Sequence, residues 1–177
     1  IKESLEIRLA SQHQHLHDTF QAMNALAYVE QSEILSSFAE VIGAATAARK
    51  FSLYQVHEDG ARRAAWRGWE DGNEFPRFLE ASHPLMLAVA GQQRTVTAHV
   101  AEDELLLGNL GLIAMPVVHP YTCKTLAILK VEDLPFLEFS QPPLELMRTL
   151  CDWLSGVWAL RFTPEDAAAL TQQNAAE

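Results

Sequence analysis

Cysteine is almost missing: Cys123 and Cys151 are the only two in 177 residues. Neither falls in a Cys-x-x-Cys or Cys/His ligand spacing, so no structural zinc site is expected, and both read as free thiols of a reducing cytoplasm. No apolar run is long enough to cross a bilayer, and no secretory leader opens the chain. Basic clusters are lacking as well. The chain carries 13 Lys and Arg against 23 Asp and Glu, a net charge of −10. Polyanion binding draws its energy from clustered cations, so nucleic acid is excluded as a partner. The densest basic group, Arg62, Arg63 and Arg67, is surrounded by Glu58, Asp59, Glu70 and Asp71 and reads as a self-neutralising hairpin. There is no Gly-x-Ser-x-Gly elbow, and no Ser, His and Asp set whose spacing argues for a hydrolase. Glu102, Asp103 and Glu104 read as an exposed acidic loop that caps a helix start rather than as an acid/base pair. No catalytic residue and no metal site are expected.

What is present is a globular composition: 49% apolar and 20% charged. The first residue is Ile1 rather than Met, and the chain is read as a cytoplasmic piece of a larger signalling protein, itself anchored in an inner membrane. The expected organisation is an N-terminal helix with coiled-coil character over 1–31, one domain over 32–162, and an Ala- and Gln-rich tail over 163–177 leading to an output domain.

Residues 2–29 contain no Gly or Pro, and Leu5, Leu9, Leu16, Met23 and Leu26 fall on a heptad seam, with Gln12 and Thr19 as polar interruptions. Ser32 is the expected N-cap of a second helix whose apolar face is Ile34, Leu35, Phe38, Val41, Ile42 and Ala45. The period then changes to two. Residues 51–57 and 61–69 form a hairpin around Glu58-Asp59-Gly60. Residues 75–80 and 84–90 are expected as short helical pieces, the second started by Ser82 and stopped by Gly91. A short strand over 94–98 and a helix or lid over 100–107 follow. Residues 112–118 and 124–131 are apolar on both faces and belong in the middle of a sheet. Ser140 is expected to cap a long closing helix, with Pro142 and Pro143 in its first turn.

This order of elements resembles the GAF fold over about 32–160. The resemblance is carried by Gly111-Leu-Ile-Ala-Met-Pro-Val, Leu126-Ala-Ile-Leu-Lys-Val-Glu and the Phe139-Ser140 entry to the last helix. It implies an α/β (α+β) domain: a central antiparallel sheet flanked by helices, with signalling helices at both ends. Val131-Glu-Asp-Leu-Pro-Phe-Leu-Glu-Phe139 is similar to GAF domains of inner-membrane cyclic di-GMP receptors that regulate exopolysaccharide secretion. The implied role is a non-catalytic regulatory or sensory module of such a pathway, paired as a homodimer through its terminal helices. A dimerisation or protein-interaction module without ligand, or a GAF sensor that binds a small molecule, is the alternative.

The family's chemistries need residues that can be sought one by one. There is no Asn-Lys-Phe-Asp-Glu signature of cyclic-nucleotide binding and no Arg-x-x-Asp tetrapeptide. Cys123 and Cys151 fall away from the expected pocket, which argues against bilin attachment and against sulfoxide reduction. Haem would need His83 or His99 as axial ligand, and a capping or surface role fits both better, so no cofactor is expected. The resemblance puts a small-molecule pocket between the sheet and residues 69–107, with Trp66, Trp69, Phe78, His83, Arg94 and His99 as candidate ligand-binding residues. Aromatics and an Arg suit a planar or anionic ligand. The same apolar residues also suit a pocket filled by the protein itself.

Overall fold

The computed structural model describes residues 2–26, 28–46, 48–68, 76–108, 111–134 and 141–161. The first helix, α1 (Lys2–Leu26), is long. Ser32 does not cap the second. It lies inside a 3-10 turn, Gln31–Glu33, and α2 begins at Ile34 and runs to Thr46. The apolar spacing of α2 is the expected one, and Ile34, Leu35, Phe38, Val41, Ile42 and Ala45 are all buried.

β1 (Lys50–His57) and β2 (Gly60–Arg67) form the hairpin. Gly60 is required at its turn: φ is 147°, and a Cβ there would lie 2.0 Å from the Leu79 carbonyl oxygen. That close approach explains a departure from expectation. Residues 75–80 were expected as a helical piece, yet Phe78–Glu80 is a strand, β3, pairing Gly60 with Glu80 and Arg62 with Phe78. A bare glycine backbone admits a neighbouring strand where the local apolar pattern alone reads as helix. Next come α3 (Pro84–Met86), continued as a π-helical turn to Gly91, then β4 (Val96–Thr97) and α4 (Ala101–Leu106). β5 (Ile113–Val118), β6 (Thr125–Asp133) and α5 (Gln141–Arg161) complete the described elements. Ser140, the expected cap of α5, lies outside the described residues. The β5–β6 turn is organised by His119, whose Nδ1 accepts from the Tyr121 and Thr122 amides at 3.2 and 3.1 Å.

All six strands form one antiparallel sheet in the order β3-β2-β1-β6-β5-β4. β5 and β6 are adjacent, and β6 is central as its two-sided apolarity requires. β5, expected in the middle, lies next to the two-residue edge strand β4 and is covered on its faces by α5 and α3 rather than by strands on both sides. The sheet separates two apolar clusters. On one face Phe51, Leu53, Met115, Leu129 and Val131 pack against α2, α5 and the last turn of α1, where Leu26 is buried. On the other, Tyr54, Leu79, Leu85, Val89, Val96, Leu107, Ala114 and Ile128 pack beneath α3 and the chain leading through α4.

Candidate functional site

The second face is where the resemblance puts a pocket. Its middle is filled by the protein's own side chains: Tyr54, Leu85, Val96, Leu107 and Ile128 are buried there in mutual contact. Tyr54 satisfies its hydroxyl by donating to the Pro76 carbonyl at 2.8 Å.

The candidate residues are distributed along the sheet rather than gathered. Trp66 is on β2 and Phe78 on β3, while Arg94 and His99 flank β4. Three strands separate β2 from β4, about 19 Å at the usual interstrand spacing. Trp66 is half exposed with the Arg63 guanidinium 4.8 Å over its ring, and Arg62 sits 4.8 Å over Phe78. Trp69 lies outside the described residues.

His83, rather than the expected Ser82, starts α3: its Nδ1 accepts from the Leu85 amide at 3.1 Å. Burial lowers its pKa, partly opposed by Glu80, so the ring is kept neutral and able to accept. Arg94 is held by Asp103, with Nη1 at 2.8 and 3.1 Å from the two carboxylate oxygens. Asp103 also accepts from the Thr97 amide at 3.3 Å and is buried, not exposed with Glu102 and Glu104 as expected from the sequence; its ion pair with Arg94 draws it in. This latch fastens α4 to β4. His99 is exposed in the connection between them.

A charged pair missed in the sequence lies on the same face. Lys130 and Glu132, at alternate positions of β6, are both buried, with Nζ 2.5 Å from Oε1. Desolvation pushes the lysine pKa down and the glutamate pKa up, each opposed by the attraction of the other. Lys130 Nζ lies 3.3 Å from where a Cβ on Gly111 would stand, so the pair is roofed by the chain entering β5. The signal was present: two opposite charges two residues apart in an apolar central strand must share a face.

Cys151 is buried on α5, where desolvation first, and then Asp152, push its thiol pKa well up. Such a thiol stays protonated and is a poor nucleophile. Cys123 is exposed in the β5–β6 turn. Among the described residues no group of three or more His, Cys, Asp or Glu is placed to hold a metal, and no helix is long and apolar enough to cross a membrane.

The fold is an α/β module: an antiparallel six-stranded sheet with helices α2 and α5 on one face and short helices on the other. The family model described as GAF domain matches residues 30–157, and the chain belongs to that family. In fold it is similar to the GAF domain of an Acinetobacter phosphoenolpyruvate-protein phosphotransferase (20% identity, TM-score 0.62, covering 82% of this chain and 93% of that one). It is similar to PelD from Pseudomonas aeruginosa PA14 in complex with c-di-GMP (19% identity, TM-score 0.56, 85% of this chain and 53% of that one). The phycoerythrobilin-bound GAF domain of a cyanobacterial phytochrome is similar too (14% identity, TM-score 0.59, 82% and 94%). No curated protein matches the chain in sequence.

Proposed function

We propose that this chain is a non-catalytic GAF relay that pairs two copies of a bacterial signalling protein through its terminal helices. The observation that carries the reading is the surface of α1 and α5. Leu26 of α1 is buried and Met23 packs beside it, but Leu5, Ile7 and Leu9 are exposed. On α5, Leu146 and Leu160 are exposed and Trp153 is half-buried between them. Leu146, Trp153 and Leu160 repeat at seven residues, and the Leu5–Leu9 spacing continues the heptad that ends in Leu26. Sequences of this kind bury themselves against a second copy in parallel register.

The apolar filling of the second sheet face and the Arg94–Asp103 latch support a module that passes on a helix displacement rather than one that grips a planar anion. Similarity in fold to PelD supports a place in cyclic di-GMP signalling that controls exopolysaccharide production and biofilm formation. In that setting the domain is cytoplasmic, with its parent in the inner membrane and other domains of the parent as partners. Sedimentation equilibrium tests the pairing: a dimer is expected at micromolar concentration, and Leu160→Glu combined with Leu9→Glu should give monomer. A wild-type chain that stays monomeric at high micromolar concentration defeats the reading.

A further inference from the structure

β4 pairs only with Ile113 and Ala114, the first two residues of β5. Beyond them stands Pro116, which has no N–H to offer a neighbouring strand. The chain ahead of β4 turns away at Gln93, a non-glycine residue at φ 53°. The Gln93 side chain is pinned elsewhere, donating Nε2 to the Cys123 carbonyl at 2.5 Å. Between this parted segment and α5 lies an open groove of about 440 Å³. Pro116 and Val118 contribute its accessible apolar surface above the buried Met115 and Cys151, Thr95 stands on one side, and Arg148 and Asp152 of α5 on the other.

Arg148 and Asp152 are one helical turn apart, yet they make no ion pair with each other or with any other described residue. Arg preceding Asp is the weaker order for a pair along a helix. An anion alone would meet Asp152 in a chain of net charge −10, and a cation alone would meet Arg148. A ligand bearing both charges satisfies both. The thiol of Cys151 stays protonated and adds to the apolar lining. The volume falls within the range of small-molecule sites.

We propose that this groove binds a zwitterionic small molecule of the apolar α-amino acid class. Its carboxylate pairs with Arg148, its ammonium with Asp152, and its side chain lies on Pro116 and Val118. The site is separate from the filled face of the sheet. By helical spacing it also lies about 120° around α5 from the Leu146, Trp153 and Leu160 stripe. A dimer formed through that stripe leaves the groove open, and an occupant presses directly on the closing helix. The groove does not depend on pairing, so sedimentation and ligand titration can fail independently.

The test is calorimetric titration of the full chain with L-leucine, alongside 4-methylpentanoate, which lacks the ammonium, and 3-methylbutylamine, which lacks the carboxylate. Saturable binding of L-leucine is expected, weakened about tenfold or more by either Arg148→Met or Asp152→Asn, as loss of one charge-assisted pair implies. Both residues are exposed, so both variants should keep the wild-type melting curve. In nuclear magnetic resonance spectra the leucine-induced shifts should centre on Thr95 and Val118. Three results overturn the proposal: no saturable heat with leucine, methionine or phenylalanine; equal affinity for a singly charged analogue; or binding untouched by both substitutions.

Discussion

Arg161, the last residue of α5, donates its Nη1 to the carbonyl oxygen of Leu26, the last residue of α1, at 2.6 Å. The final carbonyls of a helix have no partner within it, and that of Leu26 belongs to a buried residue. The guanidinium supplies the missing donor. It also joins the end of the first helix to the end of the last one directly, without passing through the sheet.

Arg161→Met keeps much of the side chain's length and removes the donor. It should cost about 1.5–3 kcal/mol, the range for hydrogen bonds to charged groups. Hydrogen exchange should quicken in the last turn of α1 and the last turn of α5 together. Acceleration in only one of the two helices would show that the bond does not couple them.

Leu150→Ala removes a buried side chain packed beneath α5 with Met147 and Leu154. A loss of roughly 2–5 kcal/mol is expected for such a truncation. An unchanged urea midpoint would mean the helix does not rest on the sheet through this residue.

The Lys130–Glu132 pair gives a two-part prediction. Lys130→Met alone leaves a buried carboxylate without its ammonium and should cost about 3–5 kcal/mol, whereas Lys130→Met with Glu132→Leu should recover most of it. Burial outweighs the attraction of Lys130 and raises the Glu132 pKa above its ordinary 4.5. A carboxyl shifted this way holds its proton more tightly folded than unfolded. Its contribution to stability is therefore present below pH 4.5 and is lost as the pH rises through the raised folded value. Glu132→Gln should remove that fall. Denaturation curves between pH 4.5 and 7 that change in parallel for wild type and Glu132→Gln would count against it.

Calorimetric titration with cyclic di-GMP should give no saturable heat. A bis-phosphate needs clustered Arg donors in bidentate geometry, and Arg94 already spends its guanidinium on Asp103. Arg94→Ala should instead loosen α4, seen as faster exchange at Thr97 and Asp103. Micromolar binding that disappears in Arg94→Ala would make this the sensing site.

The sequence was most legible where one period dominated. Ile34, Phe38 and Ile42 mark α2, and the two-sided apolarity of β5 and β6 marks them as adjacent strands covered on both faces. It was least legible where a residue acts through a distant backbone. Gly60 draws in β3 through space that a side chain would fill, and nothing within 78–80 announces a strand. His83 beat Ser82 as the cap because a ring nitrogen accepts as well as a hydroxyl once burial keeps it neutral. The candidate site suffered from the same blindness. Trp66 and Arg94 have suitable chemistry, but only the strand order reveals that three strands stand between β2 and β4, which carry or adjoin them. Lys130 and Glu132 could have been found, since their alternation within an apolar strand fixes them to one face.

Pro116 has a consequence outside the folded monomer. The outer side of β5 past Ala114 is strand backbone with no neighbour among the six strands, and such an edge is a template on which another chain can lay itself down. A proline in that stretch withholds one of the donors that an added strand needs. The residue that stands where β4 stops pairing with β5 thereby also disfavours strand-by-strand growth of the sheet between molecules.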